Sequence, residues 1–288
     1  MKQSSAHKTE RLPPTGSEPR KPAYGSLVPA VEQASRILFQ LAESSRPELS
    51  LTEICAAVGI HKSKGYAILN TLMDAGLVVR DADTKAYSLG LGLLFLSRAA
   101  LDKTDLGRAA KPYLSELVAA TQSTALLGIV NGERLFVAAK EEASAGIGIT
   151  IRVGQRYPLT WGAHGKTILA FLPAEERERL LEDSELLFLG DAAGEPDLEL
   201  VRKELERVRE RGYGVDVGVM QAGIQAVSAP ILGSRSRPVG CIVILGTFPP
   251  TSAEGYGERA AAVAREISSL LGPTLERIYG RSGPRHTD

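Results

Sequence analysis

Residues 62–70 combine cations with hydrogen-bonding side chains at the spacing of one helix face. Lys62 and Lys64 stand at the start of this predicted helix, where they would neutralise DNA phosphates. A helix of this kind fits the major groove, and its outward side chains would face the base edges. The candidate DNA-contacting residues on it are Lys62, Ser63, Lys64, Tyr66, Ala67 and Asn70. The alternative is a helical bundle with a solvated polar face.

Small residues within residues 158–166 predict a helix whose first turn has free backbone N–H groups. These groups lie at the positive end of the helix dipole, where carboxylates and other anions bind. We expect Ala163, His164 and Gly165 to present their N–H groups to an acidic or polar end of a ligand. The alternative is a simple tight turn into a helix. A third candidate is Asp216, either as a hydrogen-bond acceptor facing a pocket or as a solvent-exposed loop residue.

The composition excludes several other classes of protein. The 288 residues include 34 Lys and Arg against 34 Asp and Glu, so the chain is not a globally basic nucleic-acid coat. Cys55 and Cys241 are too few for a disulfide framework or a Cys-based zinc site, and the four histidines are scattered. No nucleophile elbow, P-loop, Rossmann fingerprint or HExxH motif occurs. We therefore expect a protein that is not an enzyme and that uses no cofactor.

The ends of the chain differ in composition from the rest. Residues 1–26 are rich in proline and hydroxyl residues and predict a disordered arm. Five basic and two acidic residues give this arm a net charge of +3, so it is either a solvated tail or a nonspecific phosphate contact. Residues 280–288 are predicted to be a flexible tail. The arm has no apolar signal region, and no stretch of the chain suits a bilayer span, which predicts a cytoplasmic protein without membrane contact.

Residues 27–90 have the pattern of three helices and a hairpin. The first helix covers residues 28–44, with Val31, Ala34, Leu38 and Leu41 at helical spacing and Ile37 beside them. A capping box of Ser50 and Glu53 opens the second helix, which Gly59 ends. The third helix covers residues 62–75, and its inward face would be Gly65, Ile68, Leu69 and Leu72.

Two short strands, residues 77–80 and 86–89, form the predicted hairpin. With the three helices they make a winged helix-turn-helix, in which Arg80 and Lys85 on the wing would reach flanking phosphates. Residues 28–90 carry six basic and seven acidic groups. DNA affinity must therefore come from local placement of cations and not from the overall charge of this domain.

A linker helix over residues 91–105 and an α+β domain over residues 106–279 follow. The linker carries the stripe Leu93, Leu94, Leu96 and Leu101, either a dimer seam or ordinary packing. Beyond it, helices and strands do not alternate regularly, which predicts an antiparallel sheet with helices packed on it. Helices are predicted near 107–122, 163–172, 173–183, 197–211 and 251–271. Strands are predicted at 125–130, 135–140, 147–153, 223–231 and 239–246.

Several weak motifs occur in one order and together resemble the IclR family of bacterial transcriptional regulators. The matching segments are residues 27–41, 49–96, 154–159, 165–170, 211–216 and 223–230. The resemblance covers residues 27–272. It implies a winged helix-turn-helix followed by a GAF-like α/β effector-binding domain, and homodimers or homotetramers on palindromic operators in double-stranded DNA. The effector would be a small organic acid or an aromatic compound, and we expect a repressor of a catabolic or transport operon.

The resemblance also supplies an effector pocket. The candidate effector-binding residues are Trp161, Ala163, His164, Gly165, Asp216, Ala226, Ser228, Val243 and Leu245. Family members that bind small oxo-acids have hydroxyl side chains at the last two positions. The apolar residues here favour a more hydrophobic effector than a two- or three-carbon acid, or else a degenerate pocket.

Two departures from the family concern the third helix, where Gly65 and Ala67 replace the frequent Val and Arg. A glycine within a helix costs about 1 kcal/mol relative to alanine. These two positions favour one rival function, a regulator-like module that has lost DNA binding. A second rival, independent of them, is a small-molecule enzyme built on the C-terminal domain, against which the missing metal and nucleophile motifs count.

Overall fold

The computed structural model describes residues 28–102, 106–143, 151–183, 186 and 197–279. The chain divides into two compact units, Met1–Leu96 and Ser97–Asp288. The division falls within helix α4, Gly92–Asp102, which occupies the predicted linker. The predicted arm at residues 1–26 and the predicted tail at 280–288 lie outside the described residues.

The first unit contains three helices and a two-stranded antiparallel hairpin. The elements are α1 (Pro29–Glu43), α2 (Leu51–Val58), α3 (Lys62–Asp74), β1 (Val78–Arg80) and β2 (Tyr87–Leu89). One hydrophobic core joins them, and its most deeply buried side chains are Ile37, Ile54, Leu69, Val78 and Tyr87. This arrangement confirms the predicted winged helix-turn-helix. Val31, although at helical spacing, is 63% exposed and lies outside that core.

Local signals explain why α2 begins and ends where it does. The Ser50 hydroxyl accepts from the Glu53 N–H at 3.3 Å, and the Glu53 carboxylate accepts from the Ser50 N–H at 2.8 Å. The backbone N–H of Ser50, its hydroxyl and the nearby Arg46 lower the pKa of Glu53 to about 2. Gly59 ends the helix with a φ of +74°, a conformation that glycine adopts without strain. The predicted capping box and stop are both confirmed.

The second unit is built around a six-stranded antiparallel sheet. Its strands are β3 (Thr124–Asn131), β4 (Arg134–Glu141), β5 (Arg156–Pro158), β6 (Gly214–Val217), β7 (Gln225–Leu232) and β8 (Pro238–Gly246). They lie in the order β5-β4-β3-β8-β7-β6. The helices are α5 (Leu106–Thr121), α6 (Gly162–Phe171), α7 (Ala174–Asp183), α8 (Leu198–Arg211) and α9 (Ala253–Tyr279). The predicted α+β class and antiparallel sheet are confirmed.

Helices cover both faces of this sheet. On one face, side chains of α5 and α9 form a core with Ile242 and Ile244 of β8. On the other, side chains of α6, α7 and α8 form a second core with Val243 and Leu245. Because successive side chains of a strand point to opposite faces of the sheet, the apolar residues of β8 contribute to both hydrophobic cores. All nine residues of β8 are buried.

One predicted strand is wrong in the part that the structure describes. Residues 147–150 of the predicted strand 147–153 lie outside the described residues, and residues 151–153 are not in a strand. The chain turns there, with Gly154 at a φ of +89° and the Gln155 N–H donating to Arg152 O at 3.0 Å. The strand that pairs with β4 is β5, three residues further on. Among the described residues, no helix is long and apolar enough to cross a membrane.

Candidate functional site

Helix α3 presents one polar face and one apolar face. Gly65, Ile68, Leu69 and Leu72 are buried, as predicted for its inward side. On the outward side, Lys62, Ser63, Lys64, Tyr66 and Ala67 are exposed, and Asn70 is half-buried. The candidate DNA-contacting residues of α3 therefore share one accessible surface.

The first turn of α3 suits an anion. His61 is the N-cap, and its side chain makes no capping hydrogen bond. No acceptor among the described residues takes the N–H groups of Lys62, Ser63 or Lys64. Two exposed ammonium groups stand beside these free donors at the positive end of the helix. A DNA phosphate would find both hydrogen bonds and charge there.

The two cations predicted on the wing make contacts within the hairpin itself. Arg80 donates from Nε to Lys85 O at 3.2 Å, and its guanidinium lies 5.4 Å from the Tyr87 ring centroid. Lys85 donates from Nζ to the carbonyl oxygen of Ala82 in its own turn. Asp81 beside them accepts from the N–H of Thr84, which lowers the pKa of Asp81 and keeps it ionised. Both wing cations are engaged within the hairpin, so α3 offers the freer positive charge.

Gly65 has a packing role that the sequence did not reveal. A Cβ atom built on Gly65 would lie 2.3 Å from Sγ of Cys55 on α2. The sulfur occupies the space of the missing side chain, so α2 and α3 pack closely. Cys55 is 4% exposed, and burial raises the pKa of its thiol. The glycine is therefore matched in size to the buried side chain of Cys55.

In the second unit, the predicted pocket residues on the strands lie side by side. Asp216 on β6 pairs with Ala226 on β7, and Ala226 pairs with Leu245 on β8. The next row pairs Ser228 with Val243. Residues paired across antiparallel strands share a face. Five predicted effector-binding residues thus form one wall, on the sheet face that α6 covers.

The start of α6 supplies donors beside this wall. Trp161 is the half-buried N-cap, and no described residue accepts from the N–H groups of Gly162, Ala163 or His164. Gly165 corrects the prediction, because its N–H donates to Trp161 O at 2.9 Å. It is the first residue of α6 able to bond back by four positions. Only the three preceding N–H groups are available to a ligand.

Asp216 is a buried acceptor, so the solvent-exposed alternative is wrong. Its side chain is 3% exposed and accepts from the Val219 N–H at 2.8 Å and the Met220 N–H at 3.3 Å. A Cβ atom on Gly162 would lie 3.1 Å from Asp216 Oδ2 and 2.4 Å from Met220 Sδ. The carboxylate therefore holds the loop after β6 against the first residue of α6.

His164 contributes a neutral ring to the start of α6. It is 8% exposed, and its Nε2 lies 2.9 Å from Pro158 O. Burial lowers the pKa of His164 to about 4, although the hydrogen bond to Pro158 opposes this shift. At neutral pH the imidazole is uncharged, and Nε2 must donate because a carbonyl oxygen only accepts. Its side chain faces β5, and only its backbone N–H is left for a ligand.

Two buried polar residues of α6 were not among the predicted site residues. Lys166 is 6% exposed and donates from Nζ to Val215 O at 2.8 Å. Burial lowers the pKa of Lys166, while the nearby carboxylates of Glu204 and Asp216 raise it. The ammonium thus offsets the buried negative charge of Asp216. Its signal in the sequence is that Lys166 is the one lysine, arginine or acidic residue among the ten residues of α6.

Thr167 fixes α6 against two strands. Its hydroxyl oxygen lies 2.8 Å from Ala163 O and 2.9 Å from Ser228 O, and it accepts from the Gly214 N–H at 3.1 Å. Its side chain is completely buried. One hydroxyl therefore links α6 to both β6 and β7, which sets the distance between the helix start and the apolar wall.

The cysteines have no features of reactive thiols. Cys241 is completely buried within β8, and burial raises its pKa to about 12. Its thiol is therefore protonated and unsuited to nucleophilic attack. In the described part of the chain, no group of three or more His, Cys, Asp or Glu side chains could hold a metal ion.

Comparisons with known proteins match both units. Residues 98–269 match the sequence family described as bacterial transcriptional regulator IclR C-terminal. Residues 30–82 match the family described as IclR helix-turn-helix domain.

Individual relatives match over most of their length. The HTH-type transcriptional regulator KipR of Bacillus subtilis is 28% identical over 232 residues, which are 80% of this chain and 92% of KipR. The glycerol operon regulatory protein of Streptomyces coelicolor is 30% identical over 250 residues, 85% of this chain and 97% of that protein. A crystal structure of an IclR transcriptional regulator from Alicyclobacillus acidocaldarius has a TM-score of 0.76 at 26% identity, covering 86% of this chain and 100% of that one.

Proposed function

Because the chain belongs to the IclR family of bacterial transcriptional regulators, we propose that α3 binds its operator and that an effector at α6 controls this binding. Relatives over most of its length are named transcriptional regulators, so the chain is a DNA-binding regulator and not an enzyme. The proposal places the DNA-binding domain at residues 27–90, the linker at 91–105 and the effector domain at 106–279.

The observation that carries the DNA-binding proposal is the first turn of α3. Its N–H groups have no acceptor among the described residues, and the exposed Lys62 and Lys64 flank them. The buried face of the same helix fixes its orientation in the first unit. The side chains that would then face the DNA groove are Ser63, Tyr66, Ala67 and Asn70. Arg80 and Lys85 would contribute less to DNA affinity, because they already donate hydrogen bonds within the hairpin.

An apolar surface on α4 supports an assembly of more than one chain. Of the predicted leucine stripe, Leu94 and Leu96 are 65% and 50% exposed and Leu93 is half-buried, while the side chain of Leu101 lies outside the described residues. Phe95 in α4 and Leu91 just before it are 75% and 79% exposed. A cluster of large apolar side chains in water is unfavourable and typical of an interface. We propose that it forms a homodimer or homotetramer seam. Paired helix-turn-helix units would then bind palindromic half-sites about 10 bp apart, or a multiple of that spacing.

We expect the replacements Lys62→Ala and Lys64→Ala each to weaken DNA binding by a similar factor for the operator and for other DNA sequences. Each variant removes one phosphate contact and should reduce the slope of log K against log salt by about 0.9. Gel-shift titrations of the DNA upstream of the gene, at several salt concentrations, measure both effects. Footprinting of the same DNA would show whether two half-sites are protected.

Lys203→Ala is the matched control, because Lys203 is an exposed lysine on α8 in the other unit. Its binding and salt slope should equal those of the unmodified protein. Unchanged affinity and slope in both Lys62→Ala and Lys64→Ala would show that α3 does not contact DNA.

The effector proposal rests on the wall and the helix start together. Ala226, Val243 and Leu245 supply an apolar surface beside the free N–H groups of Ala163 and His164. An effector with an acidic or polar end and an apolar body matches this pair of surfaces. We propose that such a ligand releases the protein from the operator, which would make it a repressor.

Ala226→Leu should abolish the ligand response and leave operator binding intact. Ala226 is half-buried between Asp216 and Leu245, so a larger side chain there would fill the space facing α6. The measurement is a titration of DNA release with candidate organic acids. Ala262→Leu, the same change on the exposed side of α9, is the control. A full response in Ala226→Leu would place the effector elsewhere.

A further inference from the structure

We infer that α3 reads two neighbouring A·T base pairs of the operator, with Ala67 against a thymine methyl group and Asn70 on an adenine edge. This inference rests on the proposed function of α3, which is to bind DNA through its outward face. The reading stripe is the row of side chains along the middle of that face, at intervals of three or four residues. Its members are Ser63, Tyr66, Ala67 and Asn70.

The cations of α3 lie beside the reading stripe and not within it. Successive residues of a helix are about 100° apart around its axis, so Lys62 and Lys64 stand on opposite sides of Ser63. Both lysines are exposed. From these positions they would reach phosphates on the two sides of the groove. The stripe itself contains no Arg or Lys, the residues that most often read guanine.

Asn70 is the polar group of the stripe that can distinguish one base from another. It is half-buried, and its amide makes no hydrogen bond with the part of the chain that the structure describes. The hydroxyl of the adjacent Thr71 is engaged, because it donates to Ala67 O at 3.1 Å. A carboxamide both donates and accepts, which matches N7 and the N6 amino group of adenine. The Ser63 hydroxyl could pair with any base and therefore discriminates little.

Ala67 adds an apolar contact one turn before Asn70. It is exposed, and the neighbouring Tyr66 is 46% exposed. Thymine is the one standard base that presents a methyl group in the major groove, and alanine is a suitable contact for it. Three residues of helix rise by about 4.5 Å, close to the spacing of about 3.4 Å between stacked base pairs. Ala67 and Asn70 therefore address adjacent base pairs.

Selection of binding sites from a random duplex library by the full chain tests this inference. We expect the enriched half-sites to share two successive A·T pairs. Replacing one of their thymines by deoxyuridine removes only the methyl group and should weaken binding about threefold. Ala67→Gly should erase the difference between the thymine and deoxyuridine duplexes. Ala42→Gly, the same change at an exposed position of α1, is the matched control and should retain it.

Asn70→Ala tests the contact with adenine. Its affinity for the enriched site should fall about tenfold, and a second selection with this variant should accept all four base pairs at one of the two positions. A loss of affinity without this relaxed selection would mean that Asn70 only supports α3, and it would overturn the adenine contact.

Three other results would overturn the inference. They are half-sites with guanine at both positions, no enriched sequence at all, and a deoxyuridine effect that is absent or persists in Ala67→Gly. If the enriched sites lack the A·T pairs while Lys62→Ala and Lys64→Ala still weaken binding, the proposed DNA-binding role of α3 stands and only its base preference is wrong. Unchanged binding in both lysine variants would contradict that role itself.

Discussion

Replacing Gly65 with valine is expected to destabilise the DNA-binding unit by about 2 to 3 kcal/mol, the upper part of the usual cost of overpacking a core. The new Cβ would fall 2.3 Å from Sγ of Cys55, and the side chains of Leu51 and Ile60 also lie within 3.6 Å of that point. A helix interior normally gains about 1 kcal/mol when glycine becomes alanine. Here the steric cost exceeds this gain, because Cys55 is buried and has little room to move.

The same contact predicts a rescue. Cys55→Ala removes the sulfur, so the double variant Cys55→Ala/Gly65→Ala should be more stable than the sum of the two single effects predicts. Thermal unfolding of the four proteins gives the coupling energy of this pair. For a unit of this size, each kcal/mol corresponds to about 4–8 °C in midpoint. Additive effects would show that α2 and α3 are not in the close contact described.

The second large effect concerns acid stability of the effector domain. The pKa of His164 is about 4 in the folded protein, against 6.5 for the free side chain. Protonation therefore favours the unfolded state between these values. The contribution of neutral His164 to the free energy of unfolding is therefore complete above pH 6.5 and is lost as the pH falls to 4. A shift of this size corresponds to about 3 kcal/mol.

Denaturant unfolding of the effector domain, followed by Trp161 fluorescence at pH 4 to 7.5, measures this loss. His164→Gln keeps a donor for Pro158 O and does not titrate. Between pH 6.5 and pH 4, the free energy of unfolding of this variant should therefore fall by about 3 kcal/mol less than that of the unmodified protein. His7→Gln is the matched control, since residue 7 precedes both matched family segments. Parallel pH profiles for His164→Gln and the unmodified protein would show that His164 is not the titrating group.

Local sequence signals predicted most of the first unit. The capping box of Ser50 and Glu53 and the left-handed Gly59 involve residues close together in the chain. The sequence alone therefore predicted where α2 begins and ends. The inward face of α3 followed from helical spacing. The contact between Gly65 and Cys55 could not be predicted, because it depends on how closely two helices pack.

In the second unit, long apolar runs predicted β3, β4, β7 and β8, but the edge strands β5 and β6 were missed. Short edge strands have little pattern of their own and form because a partner strand is present. The donors of Ala163 and His164 were anticipated, whereas the internal bond of Gly165 depends on which residue begins the helix.

The order of the strands also constrains how the chain acquires its structure during synthesis. The middle of the large sheet is the pairing of β3 with β8, which brings Thr124 beside Leu245. The first unit is complete by Leu96 and can fold from local contacts while the ribosome is still elongating the chain. The second unit must wait for β8 and for α9, which packs on it. Until then β3 has an open edge, and this nascent intermediate is the state most exposed to misassociation.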